Sequence, residues 1–198
     1  MKKLILLFFV AVLMFSGCAT TSVTRTAADS TTDLSGRWND TDSRMVAEQM
    51  VKELIYRPWL SDFLMENDEK PVVIVGNIRN RSSEHIDTSV FIKDIERELI
   101  NSGKVTFVAT SKERKEVIEE RLHQQGHASV ETAASIAQET GADFMLIGEI
   151  SSITDAIEGT KAVFYQVDLE LVNIETNEKV WMGNKKIKKV ISRSKTKW

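Results

Sequence analysis

Two runs of large apolar residues constrain the fold of this sequence more than any other feature. The first run occupies residues 71–78 and the second residues 142–150, and turn-forming residues bound both. In each run, apolar residues follow one another directly instead of alternating with polar ones, which is typical of strands buried on both faces. We therefore expect a β-sheet with these two strands near its centre and with structure packed on each side.

Helices and further strands are expected around these two runs. The spacing of apolar residues predicts helices at 41–57, 87–103, 110–126 and 129–141 and strands at 105–109, 163–171 and 179–190. Pro58 ends the first helix, Asp87 caps the second and Gly103 closes it. The apolar cluster at 59–65 is interpreted as a loop or short helix packed on the core rather than a cofactor-contacting aromatic patch.

The order of these elements predicts the fold class. It runs helix, strand, helix, strand, two helices and three strands, which indicates one α/β (α+β) domain. The polar residues 175–178 separate the last two strands and predict an antiparallel hairpin at one edge. We expect a mixed β-sheet packed by helices with a C-terminal antiparallel β-hairpin. The expected buried core includes Val73, Val75, Ile95, Leu99, Leu146, Ile147, Val167 and Leu169.

The first eighteen residues have the features of an export signal. Lys2 and Lys3 precede an apolar run at 4–15, which is too short to span a bilayer, and small residues lead to Cys18. Cys18 is the only cysteine, and the segment before it is similar to the lipobox of bacterial lipoproteins. That resemblance implies a signal peptide at 1–17 and lipid attachment at Cys18. The alternative is an ordinary signal with an incidental cysteine.

The mature chain is expected to have three parts. Residues 18–40 are rich in Thr, Ser and Asp and predict a flexible tether behind the lipidated cysteine. Residues 41–192 form the globular domain, and residues 193–198 form a basic tail. No cysteine remains for a disulfide, so the stability of the domain must come from packing.

Positive charge is concentrated at the C-terminus, where residues 185–198 hold seven basic residues and no acid. Lysines at 185–189 fit the solvated side of an edge strand, where they oppose aggregation between sheets. Alternatively, these residues and the basic tail contact an acidic partner surface, anionic lipid headgroups or the acidic groups of a cell-wall polymer. Nucleic acid is not an expected partner, because an export signal takes the chain out of the cytoplasm.

No motif for catalysis or cofactor binding is recognisable in the sequence. Gly76 and the residues after it follow a strand, but they match neither a dinucleotide-binding pattern nor a P-loop. His123 and His127 are four residues apart, yet Gly126 interrupts the helix that would place both on one face for a metal. We therefore expect a protein that is not an enzyme, with no cofactor, no metal site and no small-molecule substrate.

One loop is a candidate for partner contacts. Arg79, Asn80 and Arg81 follow the first central strand at its C-terminal end. Loops in that position often carry function because a rigid strand holds them in place. The alternative is a solvated turn that contacts no partner.

Three segments resemble the LpoB-type periplasmic lipoproteins, the penicillin-binding protein activator family. Residues 139–148, Glu-Thr-Gly-Ala-Asp-Phe-Met-Leu-Ile-Gly, are similar to that family's helix–Gly-Ala-Asp–strand segment. Residues 174–183 are similar to its hairpin, in which a turn leads to a strand carrying Trp and a following Gly. Residues 71–80 are similar to its first strand and Arg-Asn loop. Curli-secretion lipoproteins and the N-terminal domain of the Tol-system β-propeller protein share the fold and parts of these signatures.

This resemblance implies a non-catalytic lipoprotein on the periplasmic face of the outer membrane that binds and activates a class A penicillin-binding protein, a peptidoglycan synthase. The alternative is a curli-secretion-type lipoprotein or another structural or binding lipoprotein of the envelope. The family's partner-contacting residues follow no motif that can be matched here. Well-known members reach their partner on long proline-rich linkers, whereas residues 19–40 contain no proline. Ala19, directly after the cysteine, favours the outer membrane over the inner one.

Overall fold

The computed structural model describes residues 21–108 and 141–192 of the chain. The described helices are α1 (Asp40–Ile55), α2 (Pro58–Asn67) and α3 (Thr88–Ser102). The described strands are β1 (Val72–Asn80), β2 (Thr106–Phe107), β3 (Phe144–Ile157), β4 (Thr160–Asn173) and β5 (Lys179–Ser192). Cys18, the helices predicted between 110 and 140 and the basic tail lie outside the described residues.

The five strands form one mixed sheet in the order β2-β1-β3-β4-β5. Strand β1 runs parallel to both β2 and β3, while β3, β4 and β5 are antiparallel neighbours joined by hairpins. The predicted fold class, a mixed sheet with helices against it and a C-terminal antiparallel hairpin, is confirmed. The predicted strand at 105–109 is shorter than expected, because only Thr106 and Phe107 pair with β1.

The three described helices pack against one face of the sheet, which we call the inner face. Its side chains and the apolar stripes of α1, α2 and α3 form one hydrophobic core. Trp59 and Phe63 of α2, for example, both meet Phe144 of β3 edge to face, with ring centroids 5.1 and 5.4 Å apart. Asp87 caps α3 and Gly103 closes it in the left-handed conformation, as predicted.

The opposite, outer face of β1 and β3 is half-buried, whereas the sequence predicted full burial on both sides. Ile147 shows the difference, because it was placed in the core together with Leu146. Successive side chains of a strand point to opposite faces, so Leu146 is fully buried on the inner face while Ile147 lies half-buried on the outer one. The other seven predicted core residues are buried.

The folded unit begins at Thr31, before the predicted tether ends at residue 40. Residues 31–39, which we call the strap, pack on the domain because Trp38 enters its core. The Trp38 ring meets Phe91 of α3 and Tyr165 of β4 edge to face, with centroids 6.2 and 5.6 Å apart. Residues 21–30 form a separate unit, in which Ser30 N–H donates to the Ala27 carbonyl over 3.0 Å.

Gly36 lets the strap approach β5 closely. Its φ of +69° lies in the left-handed region, and a Cβ on Gly36 would collide with the side chain of Ile191. Only glycine adopts that conformation without strain while leaving room for the isoleucine. The strap therefore crosses the C-terminal end of β5 at this point.

The last three strands extend well beyond β1. Asn80 and Ile150 are the final pair between β1 and β3, but β3 continues to Ile157 and β4 returns from Thr160. Residues 151–166 and 185–192 thus form a three-stranded projection, which we call the arm. The strand predicted at 142–150 is longer than expected for this reason.

Candidate functional site

The predicted partner-contacting residues lie at the edge of the outer face. Arg79 and Asn80 belong to the end of β1 rather than to a loop, because they pair with Glu149 and Ile150 of β3. The Arg79 and Arg81 guanidinium groups each lie 3.7 Å from the same carboxylate oxygen of Glu149, Oε2. Both arginine side chains are about 60% exposed. The structure therefore brings the two arginines together around one acid and leaves them accessible.

Asn80 has a different position and organises the turn after β1. Its Nδ2 donates to the Glu84 carbonyl over 2.8 Å, and its Oδ1 accepts from the N–H and hydroxyl of Ser82 at 2.9 and 2.7 Å. An asparagine that bonds to its own backbone in this way stabilises a turn. Asn80 thus fixes the backbone that follows it, while Arg79 and Arg81 present charge.

A shallow depression of about 580 Å³ lies on the outer face beside the two arginines. It is lined by Asn77, Arg79, Ile147, Gly148, Glu149, Asp168, Glu170, Lys179 and Met182. The cross-strand register accounts for this set, because Arg79, Glu149 and Asp168 are neighbours on β1, β3 and β4. The depression therefore draws on four strands.

Charges of both signs pair within the depression. Lys179 lies 2.7 Å from the Glu170 carboxylate, and Gln166 Nε2 donates to both Asp168 oxygens at 2.9 Å. Met182 is 64% exposed at its margin. Of the residues at this depression, the accessible methionine and arginine are of types that are enriched at protein–protein interfaces.

The lining of the depression contains no histidine, cysteine or serine, so no nucleophile of the Ser–His or Cys–His kind is present there. Across the described residues, no three His, Cys, Asp or Glu side chains are grouped to hold a metal ion. The described part of the chain contains one histidine, His85, which is exposed in the turn before α3.

A second polar cluster, which the sequence did not predict, lies on the inner face. Lys189 of β5 bonds to Asp33 of the strap and Asp42 of α1, each at 2.6 Å, and to the Arg37 carbonyl at 3.1 Å. These three acceptors satisfy all three ammonium donors. The Lys189 side chain is only 10% exposed, and that of Asp42 is 5% exposed. The expectation that the β5 lysines are solvated is therefore wrong for Lys189.

The cluster shifts the pKa of all three groups. Burial alone would lower the pKa of Lys189, but hydrogen bonds to Asp33 and Asp42 outweigh it and raise that pKa. The hydrogen bond from Lys189 lowers the pKa of Asp33. Burial raises the pKa of Asp42, and the bond from Lys189 offsets this only in part. The cluster holds a charged lysine between one exposed and one buried carboxylate.

Two sequence signals mark this cluster in retrospect. Asn39 and Asp42 have capping-box spacing, and each side chain accepts from the other's backbone N–H, at 3.1 and 3.0 Å. Trp38, an aromatic residue in an otherwise polar stretch, directly precedes them, and its ring nitrogen donates to Ser43 Oγ over 2.8 Å. A cap next to a tryptophan indicates a helix start anchored to a core.

The fold is thus a single mixed α/β domain with an accessible, ion-paired depression on its outer face. The sequence matches the model of the peptidoglycan-synthase activator LpoB family over residues 42–187, which is most of the chain. The protein therefore belongs to this family.

Solved structures that are similar to this chain include two LpoB domains and one other lipoprotein. The C-terminal domain of LpoB from Salmonella enterica is 18% identical, and the match covers 74% of this chain and 98% of that one with a TM-score of 0.44. The same domain from Escherichia coli is 19% identical over the same shares, with a TM-score of 0.42. Lipoprotein GNA1162 from Neisseria meningitidis is 15% identical, with 64% and 88% covered and a TM-score of 0.36.

Among the curated proteins, no sequence matches this chain. The helices in the described residues are all too short or too polar to cross a lipid bilayer.

Proposed function

We propose that this protein is a non-catalytic, lipid-anchored activator of a class A penicillin-binding protein. The observation that carries the proposal is the family match over residues 42–187, which includes every described strand in whole or in large part. The accessible depression on the outer face supports it, because it exposes Arg79 and Met182, whose residue types are enriched where proteins contact one another.

Activation would work by a shift of population. A partner that binds the active conformation of the synthase more tightly than the inactive one raises the active fraction, and no group of the activator takes part in the reaction. Tenfold preference for the active state corresponds to about 1.4 kcal/mol. A surface with two accessible arginines and a few ion pairs is sufficient for a preference of this size.

The anchor is proposed at Cys18, on the periplasmic face of the outer membrane, after removal of residues 1–17. Because the folded unit begins at Thr31, residues 19–30 are the chain that links the lipid to the domain. These twelve residues reach at most about 43 Å when fully extended and average about 20 Å as a flexible coil. The synthase must therefore extend most of the way to the activator.

A binding and activity assay tests the proposal. The mature lipidated protein is mixed with purified class A synthases of the host, and binding and glycan polymerisation are measured. We expect binding by at least one synthase together with faster polymerisation. Absence of both with every class A synthase would exclude the proposed function.

The contact surface is tested by charge reversal beside the depression. Arg79→Glu with Arg81→Glu should weaken synthase binding by about tenfold or more, because like charges then face the partner surface that the arginines meet. Since this pair also surrounds Glu149, the neutral pair Arg79→Ala with Arg81→Ala is measured in parallel and should weaken binding less. The matched control is Lys52→Glu on the exposed side of α1, which should leave the affinity unchanged. Unchanged affinity in both arginine pairs would place the contact elsewhere.

A further inference from the structure

Along the arm, the outer face of the sheet exposes apolar side chains. Ile153, Ile157 and Val190 are exposed there to 69%, 79% and 65%. The register places Ile153 beside Phe164, and Val190 one row nearer the tip beside Ala162. Apolar side chains thus adjoin one another over two strand pairs. Grouped exposure of this kind marks an interaction surface, whereas isolated apolar residues do not.

Lysines border this apolar group. Lys188 pairs with Phe164 and Lys186 with Gln166, and both lysines are exposed on the outer face. We call Ile153, Ile157, Phe164, Val190, Lys186 and Lys188 the arm patch. On the outer face of the arm these two lysines accompany one acid, Asp155, which pairs with Ala162, because Lys189 is already paired with Asp33 and Asp42 on the inner face. The outer face of the arm therefore has a small excess of positive charge on a chain whose net charge is −3.

The arm tip is also where the strap begins. A groove of about 690 Å³ at the tip is lined by Leu34 and Arg37 of the strap and by Ile157, Lys161 and Ile191 of the arm, among others. Leu34 is 93% exposed. The chain that precedes the strap leads to Cys18 through residues 19–30. The strap, which is the part of the domain closest in sequence to Cys18, thus lies at the end that exposes apolar and cationic side chains.

We propose that the arm patch docks on the phospholipid bilayer that holds the lipid anchor. The inference goes beyond the proposed function but rests on its lipid anchor at Cys18. Interfacial binding grows with the apolar area buried and with attraction between basic side chains and anionic headgroups, and the arm patch supplies both. Lysines beside apolar groups suit this boundary, because the methylene stem lies along apolar surface while the ammonium stays in water.

The anchor makes a small patch sufficient. A tether that averages about 20 Å keeps the arm patch at a high effective concentration beside the bilayer, so that weak contacts become well populated. Docking would also orient the depression. Ile153 and Glu149 lie on the same face of β3 and are four residues apart, about 13 Å at the rise of a strand, so docking would hold the depression close to the membrane surface.

Single-cysteine labelling tests the docking. The mature lipidated protein is reconstituted in vesicles of phosphatidylethanolamine and phosphatidylglycerol, and an environment-sensitive NBD dye is attached to Ile157→Cys. Lipid occupies the thiol of Cys18, the only native cysteine, so the label goes to one position. The matched control is Ile174→Cys, which replaces another exposed isoleucine, at the turn between β4 and β5. We expect blue-shifted, brighter emission at position 157 and no shift at position 174.

Charge variants separate the lipid contact from other causes. Lys186→Glu with Lys188→Glu, made in the Ile157→Cys protein, should reduce the shift at position 157, and Lys52→Glu should leave it intact. Equal emission at positions 157 and 174 in protein that floats with the vesicles would overturn the docking proposal while leaving the anchor in place. Protein that fails to float would overturn the anchor and the docking with it. A shift at 157 that appears only when a synthase is added would assign the arm patch to that protein instead.

Discussion

The two faces of the sheet carry similar side chains but use them differently. Lys188 and Lys189 are sequence neighbours on β5, yet Lys188 is exposed on the outer face while Lys189 is held by Asp33 and Asp42 on the inner one. Leu146 and Ile147 show the same contrast among apolar residues. In this protein, therefore, the face to which a side chain points, which alternates along each strand, separates structural side chains from those available for binding. Residue type alone does not.

The largest effect on the free energy of unfolding is expected at Leu146, compared with its neighbour Ile147. Leu146→Ala should lower the free energy of unfolding by about 2–5 kcal/mol, because it leaves a cavity in a fully buried site. Ile147→Ala should cost about 1 kcal/mol or less, since the half-buried outer face already admits water. Urea unfolding followed by circular dichroism measures both.

A loss below about 1 kcal/mol for Leu146→Ala would contradict the placement of β3 over the core. Equal losses for the two variants would mean that the outer face is as well covered as the inner one.

The second-largest effect on the free energy of unfolding is expected at Lys189, compared with its neighbour Lys188. Lys189→Met should cost about 3 kcal/mol, because it leaves the buried Asp42 carboxylate without its cation. Lys188→Met should change the free energy of unfolding by less than about 0.5 kcal/mol, as surface substitutions usually do. If Lys189→Met were as mild as Lys188→Met, the strap would not be held to β5 by this ion pair.

Asn39→Ala tests whether the strap and α1 depend on the helix cap. The substitution removes the side-chain acceptor for the Asp42 N–H and should cost about 1 kcal/mol. Asn39→Ser supplies another acceptor and should retain most of the stability. Equal melting temperatures for the alanine variant and the unmodified protein would show that the inner-face cluster forms without the cap.

The smallest expected effect is on how the free energy of unfolding changes with pH under alkaline conditions. The pKa of Lys189 is raised above its ordinary value of 10.5. Its contribution is therefore fully present below pH 10.5 and is lost as the pH rises through the higher pKa of the folded state. The free-energy difference between the unmodified protein and Lys189→Met should stay constant up to pH 10.5 and shrink above it.

Tyr165 does not disturb this comparison. Burial, with the nearby Glu84 carboxylate, raises the pKa of the Tyr165 phenol, so its ionisation also destabilises the fold at alkaline pH. Because Tyr165 is present in both proteins, its contribution cancels in the difference. A difference that stays constant with pH would mean that Lys189 has an ordinary pKa in the folded state.

Local patterns in the sequence were sufficient to predict most of the architecture. Apolar runs, caps and turn residues act through neighbours along the chain, so α1, α3 with its Asp87 cap, β1 and the β4–β5 hairpin could be placed without a structure. The hairpin signature has a local cause as well. The Trp181 ring lies against Gly183, where a Cβ would collide with it, which explains a glycine two residues after the tryptophan.

The candidate sites depended on contacts between residues far apart in the sequence. Arg79 and Arg81 could be selected because they follow a strong strand, but Glu149 is about seventy residues away and joins them only through the pairing of β1 with β3. The arm patch likewise needs the register of β3, β4 and β5, in which Ile153, Phe164 and Val190 become neighbours. No local pattern encodes such a register.

The fold class, the LpoB-type resemblance and an expected export signal ending at Cys18 could be read from the sequence, because each depends on residues close together in the chain. Which face of the sheet the described helices cover, where the folded unit begins and which lysine is buried depend on contacts between distant residues, so they required the three-dimensional structure. The strap is the clearest case. Its polar composition predicts a tether, and only the docking of Trp38 into the core and of Asp33 on Lys189 makes it part of the domain.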